Sequence, residues 1–213
     1  MAIVLKIFIE GGVLPNANIN AQTINNSERL RESFYKLLSK KVDPSMFTLE
    51  VNVNAGISNV IKTFKSKLEK GSDNLLFIDL DKPKEYRNER LEELGLEELS
   101  SEVIFMVQEM EAWILSQPDK IEECFAGLKR IRNNELIADD NNLKDKHPEI
   151  IKNPSRVMQT ILGRYFRIEK RGIVKKKKYG KLKDAPQMLE MLDWNGLETT
   201  FEDVKKFSDK FLD

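Results

Sequence analysis

The sequence predicts an α/β fold: a parallel sheet of about four strands flanked by helices, followed by an α-helical C-terminal extension. Three observations carry this. Lys6-Ile7-Phe8-Ile9-Glu10-Gly11-Gly12 and Leu75-Leu76-Phe77-Ile78-Asp79-Leu80-Asp81-Lys82-Pro83 are apolar runs that stop at carboxylates, the pattern of strands buried on both faces of a parallel sheet. Strand and helix signals alternate through the first 125 or so residues, which implies right-handed crossovers with helices on both faces. Beyond Phe125 the strand signals stop. Residues 1–125 therefore read as the α/β core and 126–213 as the extension.

The elements follow in order. After the first strand, Gly11 to Thr23 is a loop, and Asn25-Asn26-Ser27 supplies N-cap types for a helix. Leu30, Phe34, Leu37 and Leu38 form its apolar face, and Pro44 closes it. Phe47, Leu49, Val51 and Val53 alternate with polar residues as a second strand. Asn54-Ala55-Gly56 turns into a helix with Val60, Ile61, Phe64 and Leu68 inward, and Gly71 is its natural stop. Asn74 to Leu80 is the third strand, Pro83 to Leu99 a charged segment that reads as a helix or as partly ordered chain, and Val103 to Val107 the fourth strand. Met110 to Leu115 starts a helix that restarts at Pro118. In the extension, helices begin at Pro154-Ser155, at Ala185 and at Thr199, where Thr199 and Glu202 have capping-box spacing.

Composition excludes several classes. The single Cys124 allows no internal disulfide and fits a reducing cytoplasm. The single His147 argues against His-rich zinc chemistry and Ser-His or Cys-His nucleophiles. No apolar run approaches the roughly 20 residues of a membrane span, and the start of the chain reads as a strand rather than a signal peptide. Net charge is zero, yet residues 164–183 hold ten Lys or Arg against Glu169 alone, a local +9. Such a segment points to a polyanionic partner.

Ligand sites of open α/β sheets lie beyond the carboxyl ends of the strands. Glu10, Asp79 and Asp81 all fall there, and three acids can hold a hard cation such as magnesium. Asp79 and Asp81, two apart, would share a side of their strand. Gly11 and Gly12 permit a sharp turn and close approach of a phosphate.

These residues resemble the Toprim domain, the metal-dependent catalytic fold of topoisomerases, primases, recombination proteins and overcoming-lysogenization-defect nucleases. The resemblance lies in a strand ending Glu10-Gly11, a glycine turn at Gly56 after the second strand, and the Asp79-Leu80-Asp81 strand end. Phe105 to Leu115, with Met110-Glu111-Ala112-Trp113, is similar to a bacterial Toprim-like family often encoded beside ABC- or SMC-type ATPases in defence islands. The likeness covers about the first 115 residues; Pro154-Ser155 and Tyr179-Gly180-Lys181 match more loosely. It implies a metal-dependent nuclease in an ATPase-coupled anti-phage system, with Glu10 as catalytic acid or base. Asp79, Asp81, Glu10 and Glu111 would hold Mg2+ or Mn2+. Lys181 would be the lysine reaching the site. DNA or RNA and the ATPase are the implied partners; a homodimer is an open expectation beside them, and the lack of a long apolar run leads to no membrane partner being expected. Lys82-Pro83 stands where many Toprim motifs continue with another Asp or Gly, which leaves the number of metals open.

The basic segment offers Arg171, Lys175, Lys176, Lys177 and Lys178 to a phosphate backbone, and Tyr179 either to a base or to the core. Gly11, Gly12 and Gly56 are the candidate phosphate-contacting glycines. Cys124 reads as a core residue and His147 as a surface turn residue. The rival function is a non-catalytic Toprim-like subunit that binds nucleic acid or the ATPase. A phosphoacceptor receiver domain fits less well, because the fourth strand ends Val107-Gln108-Glu109 and no fifth strand is evident.

Overall fold

The computed structural model describes residues 2–12, 21–68 and 73–211, and their side chains except for those of 21–25. Four parallel strands form the main sheet: β1 (Ile3–Glu10), β2 (Phe47–Asn54), β3 (Asp73–Asp79) and β4 (Val103–Met106), in the order β2-β1-β3-β4. The central β1 and β3 are apolar because both faces are covered. Leu5, Ile7 and Ile9 of β1 enter one core and Phe8 enters the other.

On the first face lie α1 (Ala21–Leu38), α4 (Glu111–Leu115), α5 (Pro118–Cys124), α6 (Pro154–Tyr165), α7 (Lys181–Met191), α8 (Trp194–Thr200) and α9 (Glu202–Asp209). Their shared core runs from Leu5 to Phe207, with Phe77, Trp113 and Phe207 in edge contacts. The described residues beyond 125 therefore complete a core that those before it begin. On the second face α2 (Ile57–Ser66) and α3 (Arg87–Leu94) cover Phe8, Leu76, Ile78 and Phe105.

β4 is the last strand of the sheet, yet all four of its residues are buried. Its outer edge is closed by side chains: Asp203 accepts from the Phe105 N–H at 3.1 Å, and Arg87 donates to the Val103 carbonyl at 3.2 Å. Asp203 and Arg87 pair with each other. The edge thus offers no open ladder to another chain.

Several local expectations change. α1 is already helical at Ala21, ahead of Asn25-Asn26-Ser27. Gly71 lies outside the described residues. Thr199 sits inside α8 and donates to the Asn195 and Gly196 carbonyls, so it caps nothing. Asp193 is the cap of α8, accepting from the Gly196 N–H at 2.7 Å. The extension is not wholly helical: β5 (Lys129–Arg130), β6 (Phe166–Lys170) and β7 (Ile173–Lys176) form a three-stranded antiparallel sheet. Arg171 and Gly172, at φ 53° and 75°, turn β6 into β7 in the left-handed conformation of a tight hairpin. Residues 168–176 are exposed on both faces, so these strands show no hydrophobic alternation in the sequence.

Candidate active site

The carboxyl ends of β1 and β3 and the start of α4 bring acids together. Asp79 ends β3 and is buried. Its Oδ1 accepts from the Met110 N–H at 2.8 Å, so it caps the N-terminus of α4. Its Oδ2 accepts from Lys181 Nζ at 3.0 Å. Glu111, the first residue of α4, is fully buried. Its Oε1 accepts from the Tyr179 hydroxyl at 2.9 Å, and its Oε2 lies 3.6 Å from Lys181 Nζ. Glu10 ends β1 opposite Asn54 of β2 and leaves Oε2 buried without a hydrogen-bond partner.

Electrostatics tie the set together. Burial pushes the Asp79 carboxyl up to about 7; Lys181 works against that shift and Glu111 and Glu10 reinforce it. Glu10 is raised by burial and then by Asp81, with Lys181 and Arg90 opposing. Burial alone would lower the Lys181 ammonium, but Asp79 and Glu111 outweigh it and hold the group protonated. Burial and Glu111 likewise keep the Tyr179 hydroxyl protonated, as a donor.

Asp81 separates from Asp79. β3 has ended, Asp81 takes φ 57°, and its exposed carboxylate stands 3.5 Å from Arg90. The expected shared side of one strand is lost at this turn. Asp81 N donates at 2.8 Å to the carbonyl of Gln108, itself at φ 63°. Two left-handed non-glycine residues are thus joined at the ends of β3 and β4. Such conformations cluster where surroundings over-determine the backbone, often at sites.

The glycines stand at the rim. A Cβ on Gly11 would come within 2.9 Å of Leu30 Cδ2, and Gly12 sits at φ +91°. Gly56, at φ 78°, opens α2. Of the basic residues, Arg171, Lys175, Lys176 and Lys178 are exposed. Lys177 and Tyr179 face inward instead of toward a phosphate backbone. Lys177 is buried, 2.6 Å from Asp184 and above the Phe125 ring, so it faces no backbone. Tyr179 packs against the core and holds Glu111, leaving no ring free to stack on a base. Glu109 accepts from the Ser155 N–H at 2.7 Å and so caps α6.

A family model described as Domain of unknown function (DUF4276) matches residues 16–211. The chain belongs to that family. The match begins after β1 and takes in Asp79, Asp81, Glu111 and Lys181 of this DUF4276 chain. No curated protein and no solved structure matches the chain.

The donor chemistry fits a hard divalent cation. Glu10 and Glu111 each keep a buried oxygen without a hydrogen-bond donor, and carboxylate oxygen is the ligand such ions take. Among the described residues, however, no three Asp, Glu, His or Cys side chains stand close enough to hold one ion. The four expected acids are therefore not a preassembled cage; Lys181 supplies the positive charge between Asp79 and Glu111. Arg90 was missed by the sequence reading. It approaches Glu10 and Asp81 from a charged helix in which no local pattern sets it apart.

Proposed function

We propose that the chain is a metal-dependent nuclease of Toprim type that hydrolyses nucleic-acid phosphodiesters. It acts in the cytoplasm as the effector of an ABC- or SMC-type ATPase in anti-phage defence. The observation that carries the chemistry is the meeting of Glu10, Asp79 and Glu111 with Lys181 at the carboxyl ends of β1 and β3. The ATPase and defence setting rest on the sequence resemblance.

Mg2+ or Mn2+ would draw on Glu10, Asp79, Asp81 and Glu111, which are not preassembled around an ion, and when bound would supply charge stabilisation at the attacking and leaving oxygens. The chain's own groups do the rest. Glu10, its proton affinity raised by burial and Asp81, takes the proton of the attacking water. Lys181 Nζ donates to a phosphoryl oxygen from its half-exposed position. Tyr179 fixes Glu111, and the Met110 N–H fixes Asp79. Arg90 holds Asp81 at the mouth.

One observation favours a second reading, a non-catalytic binding subunit. Lys181 already pairs with both Asp79 and Glu111, so a cation stands between these two acids without a metal ion. The two readings separate in one assay: labelled DNA and RNA with Mg2+ or Mn2+, the chain alone and with its ATPase, compared with Glu10→Gln and Asp79→Ala. The nuclease reading expects each variant to lose at least ~100-fold in rate, the scale of an acid–base contribution. Identical products from wild type and both variants would remove it.

A further inference from the structure

We propose that the β6–β7 hairpin is a cationic arm that enters the major groove of B-form DNA, making double-stranded DNA the substrate class. The inference rests on the nuclease reading for the fate of the duplex, but not for its capture.

The arm is unusual in what it does not bury. Residues 168–176 are exposed on both faces of the hairpin, and only Phe166 at its base enters the core. A hairpin in a soluble domain ordinarily packs one face. Register places Ile168, Lys170, Ile173 and Lys175 on one side, and Arg167, Glu169, Val174 and Lys176 on the other. Lys170, Arg171, Lys175, Lys176 and Lys178 are exposed, and among the described residues none of them is ion-paired. Glu169 is the one acid on the hairpin.

The base is anchored where the tip is free. Lys177 turns inward onto Asp184 of α7, and its N–H continues the ladder to the Phe166 carbonyl at 3.1 Å. The chain then runs through Tyr179, bound to Glu111, to Lys181, bound to Asp79. Lys181 lies five residue steps beyond Lys176, at most ~18 Å of extended chain. That reach equals about five base-pair steps of ~3.4 Å. A duplex gripped by the arm therefore presents phosphates near the acids.

The shape selects among nucleic acids. Paired strands lie ~4.8 Å apart, and a two-stranded ribbon fits the ~12 Å major groove of B-DNA. The deep, narrow major groove of A-form RNA excludes it. Single strands are held largely by stacking on aromatic rings, and residues 168–176 contain none. Ile168, Ile173 and Val174 are suited instead to apolar contact with thymine methyl groups.

The test measures binding without cleavage. Glu10→Gln protein in chelator is titrated by fluorescence anisotropy against duplex DNA of about two helical turns, the matching RNA duplex and single-stranded DNA. Duplex DNA should bind at least ~10-fold tighter than either alternative. Lys170→Glu with Lys175→Glu should weaken it at least ~10-fold and lower the salt slope by about two. Both side chains are exposed, so melting should not change. Lys62→Glu with Lys205→Glu, the same charge change on α2 and α9, should have little effect. Equal affinity for RNA or single strands, or an arm variant indistinguishable from that control, would overturn the proposal. So would an arm variant that keeps duplex binding and loses the ATPase, since the arm would then be a protein-docking device. If the arm-dependent preference holds while wild type cuts nothing, the arm stands and the nuclease reading falls.

Discussion

Lys181 Nζ stands 3.0 Å from Asp79 Oδ2, joining residues 102 positions apart. It also stands 3.6 Å from Glu111 Oε2. Two neighbouring buried carboxylates repel each other and resist ionisation unless a cation is close. The extension supplies that cation, so it contributes Lys181 to the site itself.

Lys181→Met should lower stability by about 2 kcal/mol, between the small value of exposed pairs and the larger cost of breaking buried ones, because Lys181 is 40% exposed. Millimolar Mn2+ should raise the melting temperature of this variant more than that of wild type, as an ion takes over the neutralisation. Equal shifts would argue against the acids as metal ligands. Differential scanning fluorimetry measures both.

Asp79 should make stability depend on pH. Its usual value of 3.8 in an unfolded chain becomes about 7 when burial, opposed by Lys181, acts on it. The folded state holds the proton more tightly, so this contribution is fully present below about pH 4 and is lost as pH rises through about 7. Asp79→Asn cannot titrate. Its melting temperature minus that of wild type should climb between about pH 4 and 7, then level off; a flat difference would contradict the shift.

Tyr179→Phe removes the donor to Glu111 Oε1, so that neither buried oxygen of that carboxylate keeps a hydrogen-bond donor. Hydrogen bonds to charged groups contribute ~1.5–3 kcal/mol, so a stability loss of about 2 kcal/mol is expected by urea denaturation. Cleavage should slow with it. A variant as stable as wild type would mean that the hydroxyl does not position Glu111.

Lys177 should behave as a structural residue. Asp184→Ala strands its buried ammonium, for a loss of about 3–5 kcal/mol, whereas Lys177→Met with Asp184→Leu should recover most of it. Calorimetry of the single and double variants checks this. A double variant as unstable as the single one would show that the pair is not the source.

Glu10, Asp79 and Glu111 could be found from the sequence because each sits where an apolar run ends or a helix begins, and those places are set by local pattern. Lys181 and Tyr179 were visible only as a weak segment after a charge run. Arg90 carried no signal at all. The β6–β7 hairpin was misread because a strand exposed on both faces has no hydrophobic alternation to display. Asp81 departs from the strand spacing because it takes a left-handed conformation itself, with its N–H bonded to the Gln108 carbonyl.

The sequence by itself determined the parallel sheet, its helices and the acids at the strand ends, since burial on two faces leaves an unmistakable apolar run in the chain. Only the tertiary structure decided that Lys181 rather than Asp81 meets Asp79, that Lys177 turns inward, and that residues 168–176 stand free. Those outcomes depend on which distant surfaces pack together. Charge neutralisation across such surfaces leaves no period in the sequence to read.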